Sequence, residues 1–398
     1  MKTADHTGKM TVQPREPTTQ INWSEPLGFK YRHPRSHIKY VWTKETGWDE
    51  GRLISEHNIT MDIASTVLHY GQACFEGMKA FRMRDGKIRI FRPQLNAKRL
   101  QESCAAASMQ SPSEDLFLDA LKRVLSDNLD YVPPTDSNGS LYIRPFVIGS
   151  GPQLGLSPSH EFSFIILVNP VGPYYAGGLG SPVKAIIADS LDRAAPHGTG
   201  HVKVGGNYAP VFATTASANA KGYVVNLFLD PETHTKVEEF ATSNFAALKR
   251  DADGALVYVT PRSESILKGV TNRSCAELAS RHLGWKVERR DILWTEVSKF
   301  QEVVATGTAV VMTAIGEIHR EVKHAGKRIK KNQGTASKFY DWDADDEEEV
   351  GAKLELEVVK FENEPVEFKK LYGAVVDLQK GDLKGWQEYE WMWPAEGL

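Results

Sequence analysis

The chain has 398 residues, of which 41% are hydrophobic and 25% are charged, and its formal net charge is −3. This is the composition of an ordinary globular protein, and the length allows two domains. The small net charge gives no bulk attraction to nucleic acid or to an acidic membrane, and no apolar run approaches the ~20 residues of a membrane-spanning helix, so we expect neither partner.

The first half of the chain predicts an α+β arrangement of strands with helices on one side. Residues 1–35 are polar and contain prolines, which is typical of an arm that lies over the surface. Strands are expected over residues 37–43, 88–91, 141–148 and 162–168, with a turn at Gly86-Lys87. Helices are expected over residues 93–108, which begin with a tolerated proline, and over residues 113–129, for which Ser113 is the candidate N-terminal cap.

A glycine-rich stretch, residues 172–180, separates the two halves, and we interpret it as a flexible connection. We therefore predict a small domain over residues 1–171, a linker over residues 172–185 and a large domain over residues 186–398. In the large domain, strands are expected over residues 183–188, 224–229, 245–249, 256–259, 303–305 and 309–314. Helices are expected over residues 209–221 and 271–283.

The segment from about residue 320 to residue 365 has a different, strongly charged character. Residues 327–331 are basic, residues 341–349 are acidic, and residues 353–358 alternate as a strand would. Charge runs of this kind are usually solvated loops or hairpins, and a partner-binding segment is the alternative.

The cysteines and the N-terminus bear on the compartment. Cys74, Cys104 and Cys275 are odd in number and form no CxxC pair, so we expect neither a disulfide framework nor a metal site built on cysteines. The first 20 residues lack the apolar core of a secretory signal and have few of the arginines of a mitochondrial transit peptide. We expect a reducing, cytoplasmic location, although a mitochondrial precursor that had lost its leader would look the same.

The lysine at position 203 is the most informative residue. It stands in the segment His201-Val202-Lys203-Val204-Gly205-Gly206-Asn207-Tyr208, which contains no run of positive charge. A lysine that bonds covalently to a flat cofactor needs nearby backbone without side chains, so that the ring can approach closely. An ordinary solvated loop lysine is the alternative for this motif alone.

Three later segments fit the needs of pyridoxal phosphate (PLP), which requires a lysine, a carboxylate for its pyridine nitrogen and donors for its phosphate. Gly269-Val270-Thr271 lies at a predicted helix start, where free N–H groups favour an anion, and Thr308 could add a hydroxyl group. Either Glu238 or Glu239 could be the carboxylate. Each feature alone is more often a plain turn, cap or solvated side chain, but their joint occurrence favours PLP.

The chain resembles the branched-chain amino acid aminotransferases of PLP fold type IV. The resemblance covers most of residues 60–320 and resumes near residues 371–393. It rests on residues 69–81 (His-Tyr-Gly-Gln-Ala-Cys-Phe-Glu-Gly-Met-Lys-Ala-Phe), Phe91-Arg92-Pro93 through Arg99, Tyr142-Ile143-Arg144-Pro145, Lys203 to Tyr208, Glu239 to Asn244, Gly269-Val270-Thr271 and Gly307-Thr308-Ala309.

The resemblance implies a role for each matching position. Lys203 would form the Schiff base and shuttle the proton, and Glu239 rather than Glu238 would hold the pyridine nitrogen. The remaining cofactor-binding residues would be Tyr208, Thr242 and the phosphate ligands Arg99, Val270, Thr271 and Thr308. The substrate would be met by Thr242, Ala309, Phe75, Tyr142, Arg144 and Tyr174. The pocket of the neighbouring subunit in a homodimer would be reached by Tyr70, Leu154 and Leu156.

The implied architecture is the two-domain α+β or α/β fold of a type IV PLP enzyme, with a small α+β domain and a larger domain that has a barrel-like β core. The implied reaction is amino transfer between L-leucine, L-isoleucine or L-valine and 2-oxoglutarate, which yields branched 2-oxo acids and L-glutamate. Transaminases of D-amino acids or R-amines, aminodeoxychorismate lyases and a non-catalytic PLP-binding scaffold are the alternatives.

The chain departs from the family pattern in three places. Val310 and Thr313 stand where vertebrate relatives carry a redox CxxC after Gly-Thr-Ala. Residues 29–37 (Phe-Lys-Tyr-Arg-His-Pro-Arg-Ser-His) differ from the usual first strand, and the charged segment before residue 365 is additional. These departures concern the substrate assignment more than the chemistry.

Overall fold

The computed structural model describes residues 15–137, 139–172, 178–324, 327–330, 347–350, 353–361 and 364–398. Tyr174, much of the predicted linker and most of the acidic run lie outside these residues. Within the described part of the chain, no helix is long and apolar enough to cross a membrane.

The described residues form runs of strands with helices between them. The helices are α1 Thr66–Tyr70, α2 Pro93–Ala106, α3 Glu114–Asp127, α4 Phe212–Ala220, α5 Val270–Arg281 and α6 Val366–Lys380. The strands of the first half are β1 His37–Thr43, β2 Gly47–Trp48, β3 Arg52–Ile54, β4 Ala73–Phe75, β5 Met78–Arg82, β6 Ile88–Phe91, β7 Ser140–Gly149 and β8 Glu161–Val171. Those that follow are β9 Val183–Ile187, β10 Val225–Leu229, β11 Val237–Phe240, β12 Ser243–Arg250, β13 Leu256–Pro261, β14 Lys286–Arg290, β15 Glu302–Gly307, β16 Val311–His324, β17 Lys327–Lys330, β18 Glu347–Val350, β19 Lys353–Lys360 and β20 Met392–Trp393.

The first sheet is antiparallel and runs in the order β2-β1-β8-β7-β5-β6-β20, with β3 beside β1 and β4 beside β7. Helices α2 and α3 pack on it and bury Leu100, Phe117 and Leu121 against Phe164 of β8. The side chain of Ser113 caps α3 by accepting a hydrogen bond from the Leu116 N–H, as its position before the helix predicted. The first half of the chain is therefore an α+β unit, in which helices cover an antiparallel sheet.

The second sheet closes on itself. Strands β11, β10, β9, β16, β15 and β12 follow one another, and β12 pairs again with β11, which makes a six-stranded barrel. Leu227, Phe240, Phe245 and Val259 belong to the hydrophobic cluster of this sheet. The predicted combination of a small α+β sheet and a barrel-like β core is confirmed.

The chain returns to the first sheet near its last residues. Strand β20 pairs with β6 through Met392 and Phe91, and backbone hydrogen bonds join Leu398 to Ile88. Arg92 stacks over Trp391, with its guanidinium carbon 4.1 Å from the ring centre. The predicted division into residues 1–171 and 186–398 stays a prediction, and β9 already joins the second sheet at Val183.

Two predicted elements differ from the structure. The strand predicted over residues 309–314 begins at Val311 and extends to His324, because β9 and β19 both pair with its later residues. The helix predicted from residue 209 begins at Phe212, after a 3-10 turn. Helix α6 was not predicted at all, although Phe368, Leu371, Val375 and Leu378 bury one of its faces.

Candidate active site

A cavity of about 420 Å³ lies between the first sheet and the barrel. Its walls come from β4, β7, the ends of β11 and β15, the start of α5 and the segment that carries Lys203. Twelve of the residues predicted for the site line it: Phe75, Arg99, Tyr142, Arg144, Lys203, Tyr208, Glu239, Thr242, Val270, Thr271, Thr308 and Ala309.

The backbone of Lys203 is held from two sides. Its N–H donates to the Ser103 hydroxyl of α2 at 2.9 Å, and its carbonyl accepts from the Phe75 N–H of β4 at 3.0 Å. The neighbouring Val204 forms a bridge with Cys74 of β4. The Lys203 segment is therefore attached to the small sheet and to α2, although it lies far from both in the sequence.

The side chain of Lys203 ends beside two aromatic rings. Its Nζ donates to the Tyr208 hydroxyl at 2.7 Å and lies 4.3 Å from the centre of the Phe75 ring. Burial, reinforced by the nearby Arg99 charge, lowers the pKa of Lys203 to about 7. Burial raises the pKa of Tyr208. A neutral amine is thus accessible near neutral pH, next to a phenol that stays protonated.

A carboxylate stands elsewhere in the same cavity. Glu239, on β11, pairs with Arg193 at 2.9 Å and accepts hydrogen bonds from the Asn244 side chain at 2.8 Å and from the Leu267 N–H at 3.1 Å. Burial raises its pKa to about 7, and the Arg193 charge acts against that rise. These contacts therefore fix the orientation of the Glu239 carboxyl group, and Arg193 is the main group that stabilises its charged form.

Strand alternation separates the two adjacent glutamates. Glu238 accepts a hydrogen bond from the Ser263 hydroxyl at 2.7 Å and does not line the cavity, whereas Glu239 does. Neighbouring side chains of a strand point to opposite faces. Of the two candidates, only Glu239 faces Lys203 across the cavity.

The start of α5 provides free backbone donors. Gly269 precedes the helix, and no side chain caps its first turn. A Cβ atom at Gly269 would lie 1.8 Å from the Asn244 Oδ1, so this close approach requires glycine. Thr308 stands nearby and donates its hydroxyl to the Gly77 carbonyl at 3.3 Å. These groups suit an anion such as a phosphate.

Arg99 belongs to a buried ion pair. Its Nε and Nη2 bind the two carboxylate oxygens of Glu76 at 2.7 and 2.8 Å, and its Nη1 donates to the Lys268 carbonyl at 2.9 Å. Asn96 adds a third hydrogen bond to Glu76 at 2.7 Å. Burial alone would raise the pKa of Glu76, but Arg99 outweighs it and the net shift is downward. The charge of Arg99 is thus matched within the protein itself.

Aromatic rings and one arginine form another wall. Phe29 meets Tyr142 edge-on, with ring centres 5.2 Å apart. Arg144 donates to the Tyr142 hydroxyl at 3.0 Å and lies over the Phe75 ring, 4.9 Å from its centre. The buried Nε of Arg144 has no partner within the described residues. This wall combines apolar surface with one cation that has a free donor.

Three further predicted residues, all of them described, do not line this cavity. These residues lie on the surface. Their relative solvent-accessible areas are 46% for Tyr70, 65% for Leu154 and 90% for Leu156. The Tyr70 hydroxyl donates to the Leu154 carbonyl. Tyr174 lies outside the described residues, so its role stays a prediction.

Several residues of the site were not predicted from the sequence. Arg193 carries no local motif, and its contact with Glu239 arises only from the fold. Phe29 belongs to the segment that departs from the family pattern, yet it forms part of the wall. Glu76 had a recognisable signal, because a charged residue stands between the apolar residues of β4 and β5.

Comparison with known proteins gives consistent results. A sequence model of the family described as amino-transferase class IV matches residues 73–318. A branched-chain-amino-acid aminotransferase of Helicobacter pylori is 45% identical over 299 residues, which are 75% of this chain and 86% of that protein. The aminotransferase poxL of Penicillium oxalicum is 41% identical over 303 residues, 76% of this chain and 81% of that protein. The crystal structure of a branched-chain amino acid aminotransferase from Escherichia coli has a similar fold, with a TM-score of 0.67, 23% identity and coverage of 89% of this chain and 99% of that one.

Proposed function

The chain belongs to the class IV aminotransferase family, and from this premise we propose that it transfers amino groups between L-leucine, L-isoleucine or L-valine and 2-oxoglutarate with PLP as its cofactor. The observation that carries the proposal is the placement of Lys203, Glu239 and the uncapped start of α5 around one cavity. A buried amine, a buried carboxylate and an anion site are the three features that PLP needs from a protein.

The donor set fits the cofactor. Lys203 would bond to its aldehyde carbon, Tyr208 would donate to its phenolic oxygen, and Glu239 would pair with its ring nitrogen. The phosphate would be held by Arg99, the backbone N–H groups of Val270 and Thr271, and Thr308. Thr242 would complete the cofactor-binding set next to the substrate. When bound, PLP supplies an aldehyde for the lysine and a ring that accepts electrons from the substrate.

The residues of the chain then have separate tasks. The Lys203 amine, with its pKa of about 7, can take a proton from the substrate Cα near neutral pH and return it. Arg193 favours the ionised form of Glu239, and that form favours a protonated ring nitrogen. The hydrogen bond from Lys203 to Tyr208 aims the amine while it is free. Thr242 and Ala309 would meet the α-carboxylate of the substrate.

The wall of the cavity supports the choice of substrates. Phe29, Phe75 and Tyr142 offer ring surface for a branched hydrocarbon side chain. Arg144 has a free donor in the described structure and could pair with the second carboxylate of 2-oxoglutarate. One site would thus accept both substrates in turn, as a double-displacement reaction requires.

A homodimer belongs to the same proposal. Tyr70, Leu154 and Leu156 leave apolar surface exposed on one protomer, which supports a role at the pocket of a second copy. Charged and polar side chains are the usual occupants of positions as exposed as these.

Spectroscopy of the purified protein tests the proposal. With PLP bound, the visible absorption band should disappear on addition of L-leucine, as the cofactor takes up the amino group, and should return with 2-oxoglutarate. A band that responds to D-alanine but not to L-leucine would reject the substrate assignment and keep the cofactor. If neither the wild-type protein nor the protein incubated with PLP shows a band, the role of Lys203 is wrong.

A further inference from the structure

Lys79 is a basic residue next to the site to which no role has been given. It lies on β5, opposite Tyr142 of β7 in the register of the first sheet. Its Nζ donates to the Ala309 carbonyl at 2.7 Å, and so reaches from the first sheet to the turn after β15. That turn also carries Thr308, one of the groups that suit an anion.

The charge of Lys79 has no protein counter-ion in the part of the chain that the structure describes. Its one recorded hydrogen-bond partner there is a backbone carbonyl, and no carboxylate lies within ion-pair distance. The side chain is partly buried, and burial lowers its pKa to about 8. Even partial desolvation of a cation is costly where no opposite charge is near, so a ligand of negative charge would relieve that cost.

The surroundings of Lys79 indicate where such a ligand would lie. Lys79 lines a small cavity of about 20 Å³, room for about one water molecule. Val270, Thr271 and Thr308, the proposed phosphate ligands, line the same cavity. Lys79 therefore stands next to the phosphate-binding end of the site.

The other cation at this end is already neutralised. Both carboxylate oxygens of Glu76 bind Arg99, so the pair together contributes no net charge to a bound phosphate. A phosphate group carries up to two negative charges at neutral pH. The balance of charge at this end of the cavity thus depends on a further cation.

We propose that Lys79 acts as a remote counter-ion of the cofactor phosphate. It is also a positioning residue, because its hydrogen bond to the Ala309 carbonyl holds the Thr308–Ala309 turn against that phosphate. This inference rests on the proposed function. It assigns Lys79 to the phosphate rather than to the substrate carboxylate, because Val270, Thr271 and Thr308 share its cavity.

Binding of PLP and of pyridoxal, which lacks the phosphate, to the cofactor-free protein tests the proposal. We expect Lys79→Gln and Lys79→Met to weaken PLP binding by about tenfold or more and to leave pyridoxal binding within about twofold of wild type. Lys79→Arg, which keeps the charge, should retain most of the affinity. Lys299→Gln removes an exposed lysine that ends the 3-10 turn Trp294–Lys299 and lines neither cavity, and it serves as the matched control.

Each other result overturns a defined part of the inference. Equal weakening of PLP and pyridoxal would mean a general structural role, and unchanged PLP affinity in Lys79→Gln would mean that the charge is irrelevant. A raised KM for L-leucine with unchanged PLP affinity would assign Lys79 to the substrate carboxylate. If one uncharged variant does not fold by circular dichroism, the other decides. A wild-type protein that binds neither compound would instead reject the proposed function.

Discussion

Burial shifts the pKa values of Lys203 and Glu239 in opposite directions, because it disfavours the charged form of each group. Burial lowers the pKa of the amine to about 7 and raises that of the carboxyl group to about 7. Both groups therefore titrate close to neutral pH, where small changes in the surrounding charge decide their state. Arg193 therefore influences the protonation of Glu239, and Arg99 that of Lys203, although neither arginine needs to react.

Replacement of Lys203 by alanine should remove turnover. The loss should reach at least roughly 10²–10⁴-fold, the usual contribution of a general acid–base group, and the visible band of bound cofactor should disappear with it. Lys221→Ala is the control, because Lys221 is exposed and pairs with Glu321 on the surface at 2.6 Å. Turnover in Lys203→Ala within tenfold of wild type would contradict the assigned role.

Replacement of Arg193 by methionine should raise the pKa of Glu239 above its value of about 7, because the opposing charge at 2.9 Å is lost. Infrared difference spectra of the cofactor-free protein across the neutral pH range would follow the carboxyl band, and Glu239→Gln would identify it. Arg193→Lys keeps the charge and should shift the pKa less. An unchanged titration in Arg193→Met would show that Arg193 does not control this carboxyl group.

At the scale of elements, the first turn of α5 links the two ends of the cavity. Gly269 precedes this turn and lies against Asn244, which in turn donates to Glu239 at 2.8 Å. Asn244 also donates to the Leu267 carbonyl at 2.8 Å, so one side chain connects β12, β11 and the approach to the helix. A displacement of the helix start is therefore transmitted to the carboxylate.

Two glycine-to-alanine changes should have opposite effects on the free energy of unfolding. Gly269→Ala places a Cβ atom 1.8 Å from the Asn244 Oδ1 and should destabilise the protein by about 1–3 kcal/mol, with weaker PLP binding. Gly373→Ala, inside α6 and without any neighbouring atom within 4 Å, should stabilise it by about 0.5–1 kcal/mol. Urea unfolding measures both. A Gly269→Ala protein as stable as wild type would mean that Asn244 moves freely.

At the scale of the whole molecule, the site makes the stability of the cofactor-free protein depend on pH. Lys203 has a folded-state pKa of about 7, below the roughly 10.4 of an unfolded lysine, so the unfolded chain binds more protons between these values. Its burial destabilises the fold at low pH, and this contribution vanishes as the pH rises toward 10. Glu239 acts in the opposite sense, since its raised pKa stabilises the fold below about pH 4.3 and this is lost as the pH rises through about 7.

The free energy of unfolding should therefore rise between about pH 7 and 10 in the wild-type protein and rise less in Lys203→Met. Denaturation by urea at several pH values measures the slope. Glu239 lowers the free energy of unfolding as the pH rises from about 4.3 to 7, and this fall should be absent in Glu239→Gln. Identical slopes in wild type and Lys203→Met would place the lysine in solvent rather than in a buried site.

The proposed homodimer depends on the exposed apolar residues near Tyr70. Leu156→Asp, at a residue that is 90% exposed, should shift the protein toward monomer in analytical ultracentrifugation and reduce turnover. Leu293→Asp replaces another exposed leucine, 46% accessible, away from this surface and should change neither. If both variants sediment as the wild type does, Leu156 lies outside the interface.

Local patterns predicted much of this molecule. The strands around Ile38, Ile143 and Phe164 and the capped helix after Ser113 follow from spacing along the chain. The grouping of Lys203 with the Gly269 turn was instead expected from the needs of PLP and from the family resemblance, and both line one cavity. The extension of β16 beyond Gly316 could not be predicted from the sequence, because it depends on pairing with β9 on one side and β19 on the other. Helix α6 did have a signal, since Phe368, Leu371, Val375 and Leu378 follow helical spacing.

The partners that complete the site were less predictable. Arg193 is matched to Glu239, and Lys79 to Ala309, by contacts between separate elements. A pattern within one segment carries no information about such contacts. The chemistry was therefore indicated by several motifs taken together and by the family resemblance that they carry, whereas the charges that control it required the fold.

The pairing of β20 with β6 has a consequence for how the protein is made. Because Met392 and Trp393 complete the edge beside Phe91 and Ile90, the ribosome delivers this edge strand only after the entire barrel has been synthesised. A nascent chain halted before Trp391 would present to other proteins both the β6 edge and the Arg92 surface that Trp391 covers. The small sheet is thus completed only after the strands of the barrel have been synthesised, and the backbone bonds between Leu398 and Ile88 belong to the same late step.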